Sequence, residues 1–381
     1  MKNLIYFCND SHSFLHFRKD LLISAIKKYN IEAILPKSDL NEEIEKLGIK
    51  IHEVKYYRHF SIISDLNLLY NLFKIFYKKK FDIIHTITIK PNIYGIIIAY
   101  LFNIKIRIIL VTGAGPIFNK SEKLIGNLRK KIALFLYKIS FKLCTKAIFQ
   151  NQDDINEFVD LKLINKFKTV LIQGSGVNKN YFNEQNIDTN KLNIIKKKYF
   201  LNNKIIILMV ARMIKSKGVL KFMKSSKLST KNNIKFILIA PNENDYFKKE
   251  KISNEEIKKY INKNLLIIND YVSDIRPFIF LSKICVLPTS YREGIPRFLI
   301  ESLAYSKPLI VSKRPGCKEV VKEGINGYFL DVTNNINYLI NKILSNHNHY
   351  NRLCKNSFKY FIDRFESEII VNKTIKLYEK S

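Results

Sequence analysis

Two series of short apolar runs, separated by longer stretches with helical spacing, constrain this sequence more than any other feature. Residues 4–7, 32–35, 83–85, 106–111 and 147–150 form the first series, and 205–210, 234–240, 265–268, 284–287 and 308–311 the second. Runs of this length, nearly free of polar residues, suit strands buried on both faces. Strands alternating with helices predict parallel, doubly wound α/β sheets, one per series. A chain of 381 residues has the length for about two such domains. Gly174, Gly176 and the polar run 178–190 mark the expected boundary, giving a first domain over 1–175 and a second over 176–357. The tail, 358–381, reads as helix.

The chemistry is concentrated in the second half, in Tyr291-Arg292-Glu293-Gly294-Ile295-Pro296-Arg297-Phe298-Leu299-Ile300-Glu301. The strand at 284–287 is broken by Pro288, Thr289 and Ser290. Gly294 then suits a turn, Pro296 a first helical position, and Phe298, Leu299, Leu303 and Ala304 a helical stripe. Glu293 therefore falls on the loop and Glu301 inside the helix, roughly 10 Å apart at helical rise. A retaining glycosidase pair needs about 5 Å, so hydrolysis by two carboxylates is disfavoured. The span suits a nucleotide sugar laid across a helix start, with Glu293 accepting from sugar hydroxyls and Glu301 from the ribose. The amides of Gly294 and Ile295 would face the diphosphate. An acidic residue placed by the helix dipole, followed by an ordinary exposed glutamate, has the same spelling. Upstream, the strand ending at Val210 runs into Ala211-Arg212-Met213-Ile214-Lys215-Ser216-Lys217-Gly218. Ligands bind beyond the carboxyl ends of such strands, where Arg212 and Lys217 could neutralise a departing diphosphate.

Taken in this order, the motifs resemble those of family 4 glycosyltransferases of the two-domain GT-B type. The resemblance also rests on Gly174-Ser175-Gly176-Val177-Asn178 followed by Tyr181-Phe182, and on Gly316-Cys317-Lys318-Glu319 followed by Gly324-Ile325-Asn326-Gly327. In the first half, Phe14-Leu15-His16-Phe17-Arg18, Thr88-Ile89-Lys90-Pro91-Asn92-Ile93-Tyr94-Gly95 and Thr112-Gly113-Ala114-Gly115-Pro116-Ile117-Phe118 resemble the branch that builds bacterial surface polysaccharides, capsule and lipopolysaccharide among them. That branch includes hexosaminyltransferases extending sugars on undecaprenyl diphosphate.

The resemblance implies two Rossmann-like domains facing a cleft, with the last helix crossing back to the first. It implies a hexose or N-acetylhexosamine donated from a UDP-linked sugar, with retention, to a lipid-linked or growing polysaccharide acceptor. Arg212, Lys217 and Glu293 would be catalytic, and Gly294, Ile295, Pro296 and Glu301 would complete the nucleotide-sugar site. Arg18, Lys90, His85, Gly113 and Gly115 are the acceptor-side candidates. Two departures stand out. The first loop, Cys8-Asn9-Asp10-Ser11-His12-Ser13, lacks the glycines that relatives place against donor phosphates. Ile89 holds the column of a functional histidine, leaving His85 as the nearest candidate.

Other classes fit less well. For a dinucleotide oxidoreductase, Phe118 stands at the third glycine position after Gly113 and Gly115, and no acidic residue follows between Glu122 and Asp153. Lys217 precedes Gly218, the reverse of a kinase phosphate loop, and no Asp-x-Asp motif exists for a divalent ion. No metal or other cofactor is expected. Five cysteines, Cys8, Cys144, Cys285, Cys317 and Cys354, show no paired spacing, which suits a reducing compartment. The opening apolar run is too brief for a signal peptide or a membrane span.

A formal charge of +32 calls for an anionic neighbour. No nucleic-acid motif accompanies it, so the expected partner is the inner face of the cytoplasmic membrane. Lys130, Lys131, Lys138, Lys142 and Lys146, around the apolar run 132–143, are one candidate contact. The stretch 67–81, with Phe73, Phe76 and Tyr77 before Lys78-Lys79-Lys80, is another. The competing reading of the whole chain is a non-catalytic nucleotide-sugar-binding or partner subunit of an assembly complex.

Overall fold

The computed structural model describes residues 1–57, 60–113, 124–241, 250–331, 333 and 335–380, with the side chains of 124–130 and 380 outside that description. Contacts divide the chain into two units, Met1–Gly176 with Ser367–Ser381, and Val177–Glu366.

The described residues of the first unit form a seven-stranded parallel sheet. Its strands are Lys2–Cys8 (β1), Tyr29–Leu35 (β2), Lys50–Glu53 (β3), Ile83–Ile87 (β4), Ile106–Val111 (β5), Lys146–Phe149 (β6) and Thr169–Leu171 (β7), in the order β3-β2-β1-β4-β5-β6-β7. The period of two sends alternate β1 residues into different cores: Ile5 and Phe7 meet Leu72 and Phe76 on one face, while Leu4, Tyr6 and Cys8 meet Phe14 and Tyr378 on the other. Both faces are covered by helices, which is why these strands read as continuous apolar runs.

The second unit holds a six-stranded parallel sheet among its described residues. Ile205–Val210 (β8), Ile234–Ile239 (β9), Leu265–Ile268 (β10), Ser282–Leu287 (β11), Leu309–Ser312 (β12) and Gly327–Leu330 (β13) lie in the order β10-β9-β8-β11-β12-β13. The order reverses between β8 and β11, so the loops leaving these two neighbours part to opposite sides. That is the usual place for a ligand in such sheets.

Five strands per sheet were expected, and three more are found. β3, β7 and β13 are short and less apolar, and none of the three shows the buried-strand signature. The tail also differs from a single helix beginning at 358. Helix His347–Arg364 belongs to the second unit, the chain breaks at Phe365 and Glu366, and only helix Ser367–Lys380 joins the first. The break is held by the Val177 N–H donating to the Phe365 carbonyl at 3.0 Å. Beside it, Gly176 has φ +76°, and a Cβ there would lie 2.8 Å from Ser367 Cα, so only glycine fits.

Candidate active site

In the second unit, the loops after β8, β11 and β12 are locked together through backbone. After β8, buried Met213 and Ile214 anchor a short turn, Lys215–Lys217, that ends on Gly218 at φ +78°. A Cβ on Gly218 would stand 2.1 Å from the Pro288 carbonyl oxygen. The Ser216 carbonyl accepts from Ser290 N at 2.7 Å, Tyr291 N at 3.0 Å and Thr289 Oγ1 at 3.0 Å, stitching the β8 loop to the β11 loop. From the other side, a Cβ on Gly316, φ +85°, would lie 2.2 Å from the Gly294 carbonyl and 2.8 Å from Glu293 Cβ. Three strand-end loops thus converge on residues 288–294.

The predicted charges meet there. Lys217, only 8% exposed, pairs with the Glu293 carboxylate. Its ammonium also lies 5.0 Å from the centre of the Tyr291 ring, and the Arg212 guanidinium lies 5.5 Å from the same ring. Tyr291 opens the acidic motif, but nothing in the sequence gives it a role. Two cations against one aromatic ring place it with the paired charges, each attracted by the ring's quadrupole.

Helix Arg297–Ala304 begins one residue later than expected, with Pro296 as its N-cap rather than its first residue, and Gly294 and Ile295 are buried at its entrance. Glu301 is buried and accepts from Arg297 Nε at 2.8 Å, one turn back. Burial pushes its carboxyl above the usual range, and Arg297 opposes that shift. The nearby Asp274 carboxylate pushes it the same way as burial. Asp274 is itself clamped by Arg276, whose guanidinium lies 3.9 Å from the Tyr181 ring centre. Asp274 and Arg276 carried no sequence signal; they come from a separate loop and helix.

The first-unit candidates separate into two groups. Arg18, on helix Ser11–Ile26, is 6% exposed and donates to the Ser13 carbonyl at 2.7 Å, with no carboxylate partner among the described residues. His85, on β4, is buried; its Nδ1 bonds the Tyr378 hydroxyl at 2.7 Å, and Nε2 has no partner among the described residues. Burial, reinforced by the Arg18 charge, pushes the imidazole down to about 3, so it is neutral at ordinary pH. Just beyond β4, Thr88 adopts φ +75°, a conformation that strains a β-branched residue. Lys90, by contrast, is fully engaged inside the domain: its ammonium lies 2.6 Å from Asp65 Oδ1 and donates to the Tyr57 carbonyl at 2.7 Å. It ties helix Ile62–Lys78 down and is not offered to an acceptor. Gly113 follows β5 at φ +127°, and Gly115 lies outside the described residues. In the glycine-poor first loop, Asp10 caps the helix by accepting from Ser13 N at 2.6 Å, taking the position a phosphate would need.

Comparison with known proteins agrees with this architecture. The family described as Glycosyl transferases group 1 matches residues 190–360, and Glycosyl transferase 4-like matches residues 5–151. A Campylobacter jejuni N,N'-diacetylbacillosaminyl-diphospho-undecaprenol alpha-1,3-N-acetylgalactosaminyltransferase is 27% identical over 376 residues, covering 97% of this chain and 96% of the relative. The capsular polysaccharide biosynthesis glycosyltransferase CapM of Staphylococcus aureus is 26% identical, covering 93% and 92%. The crystal structure of Anabaena HepE with UDP and glucose superposes with a TM-score of 0.79 at 16% identity, covering all of both chains. The chain belongs to the glycosyltransferases of the GT-B fold, similar to those that build bacterial surface polysaccharides.

Proposed function

We propose that the chain transfers a hexose or N-acetylhexosamine, with retention, from a UDP-linked sugar to a lipid-linked saccharide at the cytoplasmic membrane face. The observation that carries this reading is the Lys217–Glu293 pair at the convergence of three strand-end loops, with Arg212 sharing the Tyr291 ring. Arg212 and Lys217 stabilise the charge that develops on the leaving diphosphate, and preorganised charge of this kind commonly contributes more to such a rate than any other single effect. Glu293 orients the donor sugar while its pairing holds Lys217 in place. Glu301, with Arg297, anchors the ribose, and the Gly294 and Ile295 backbone lies near the phosphates. On the acceptor side, Arg18 supplies the charge for a diphosphate and Gly113 borders the saccharide, while His85, buried and bonded to Tyr378, supports the domain from within. The names of the relatives support a polyprenyl-diphosphate acceptor and UDP as the leaving nucleotide. No divalent ion is required, so turnover persists in excess chelator.

The test is thermal stabilisation of the purified chain by UDP, GDP, ADP, dTDP and NAD. A ligand at 100 times its dissociation constant adds about 2.7 kcal/mol, a visible shift. UDP is expected to act selectively, and the Lys217→Ala variant to lose the response. Silence towards every nucleotide would favour a subunit that binds partners without catalysing transfer.

A further inference from the structure

Helix Ile62–Lys78 is apolar on two faces, and among the described residues only one of them is covered. Its inward face sets Leu68, Leu72 and Phe76 in the core, with buried Asp65 held by Lys90 and by the Tyr94 hydroxyl at 3.0 Å. Phe76, expected at the surface, is therefore a core residue. The outward face carries Ile62, Ile63, Leu66, Tyr70, Phe73 and Tyr77, which fall within about 100° of the helical wheel. They are 49% to 84% exposed. A contiguous apolar stripe of this kind marks an interaction surface, since scattered single residues are the ordinary condition.

Charge identifies what covers it. Asp65 is the helix's one acidic residue and it points inward, so the outward face has no negative charge. Beside the stripe, a half-open groove of about 540 Å³ separates the helix from the edge strand β3. Lys50, Lys74 and Lys78 line it with no carboxylate partner among the described residues, and Lys74 also lies 4.3 Å from the Tyr70 ring centre. The two carboxylates in its wall are engaged, Glu32 by Lys79 and His52 and Glu53 by the Asn41 amide at 2.7 Å. Apolar side chains flanked by unpaired lysines match the boundary between acyl chains and anionic headgroups. A protein partner would have to supply both an apolar ridge and an acidic rim.

We propose that this face docks on an anionic lipid bilayer, the stripe entering the headgroup boundary and the Lys50–Lys74–Lys78 groove seating a lipid phosphate. The inference rests on the lipid-linked acceptor reading and places its membrane contact on this helix. The other basic candidate, helix Leu124–Leu143, does not carry it. Ile132 and Phe135 are the only large apolar side chains described there as strongly exposed, Tyr137 and Phe141 face inward, and Lys146 lies on β6, donating to the Phe167 carbonyl.

The experiment is flotation of the full chain with phosphatidylcholine vesicles, with and without phosphatidylglycerol. Wild type is expected to float with the anionic vesicles, Leu66→Glu/Phe73→Glu to lose partitioning about tenfold or more, and Lys74→Glu/Lys78→Glu to lose the preference for phosphatidylglycerol. Lys138→Glu/Lys142→Glu, on the other helix, is expected to float like wild type. The proposal is overturned if wild type floats with neither vesicle, or if the stripe variant floats unchanged. It is also overturned if wild type is a dimer that the stripe variant splits, which would assign the face to a second copy. The UDP thermal shift, read on every variant, reports folding and the donor site separately, so failure to float leaves the transferase reading standing.

Discussion

At the residue scale, the site depends on charges that hold one another in place. Lys217 is nearly buried, and its pairing with Glu293 and position over Tyr291 fix an ammonium that would otherwise move on a flexible stem. Replacing Lys217 by Ala is expected to lower kcat by about 10²-fold, the scale of removing one charge-stabilising donor. Unchanged turnover in a folded variant would remove Lys217 from the mechanism. The two glutamates divide the donor differently. Glu301→Ala is expected to weaken UDP binding with little change in sugar choice, and Glu293→Ala to blur the choice among UDP-sugars with less effect on UDP alone; competition by UDP across a sugar panel separates them. Equal effects would undo the assignment. Arg212, Lys217, Glu293 and Glu301 could be placed on a strand exit, a loop and a helix because each sits at a fixed offset from a strand end or helix start. Lys90 was misread for the opposite reason: its partner Asp65 is remote in sequence, and nothing local distinguishes a lysine bonded inward from one awaiting a ligand.

Elements place these residues through glycines that the sequence shows but does not explain. Gly218 and Gly324 both have positive φ, yet a Cβ on Gly218 meets the Pro288 carbonyl at 2.1 Å, while nothing lies within 4 Å of one on Gly324. Gly324→Ala is therefore expected to cost only the strain of a left-handed backbone, about 1–2 kcal/mol, and to keep UDP binding. Gly218→Ala must push the β8 and β11 loops apart, lowering Tm further and abolishing the UDP shift. Equal behaviour of the two variants in thermal unfolding would show that the loop contact does not position the site. The central strands were readable because burial on both faces writes an unbroken apolar run. β3, β7 and β13 escaped because a short strand with polar residues, such as Lys50–Glu53, carries no such run. The stretch 67–81 was read as one aromatic and basic patch, because apolar residues on two faces of a helix give no phase, and Phe76 was placed outward until packing decided.

For the molecule as a whole, the first domain is completed by the last helix, through a hydrogen-bonded chain no local pattern foretells. Tyr378 bonds Tyr6 of β1 at 3.0 Å and His85 of β4 at 2.7 Å, all three buried. This makes global stability sensitive to acid in a predictable direction. His85 titrates at about 6.5 when unfolded. In the fold its imidazole is pushed down to about 3, chiefly by burial, with the Arg18 charge acting the same way. A depressed histidine leaves the unfolded chain holding the extra proton, so its contribution is present in full above about pH 6.5 and is lost as pH falls towards 3, by about 1.4 kcal/mol per unit. His85→Gln removes the titration while keeping a group able to bond Tyr378. Unfolding free energies of wild type and variant, measured between about pH 7.5 and 5, are therefore expected to diverge, with the wild type falling more steeply below pH 6.5. Parallel curves would mean that His85 is reached by solvent or protonates in the folded protein. A neutral, desolvated imidazole in the first domain would then have to be abandoned.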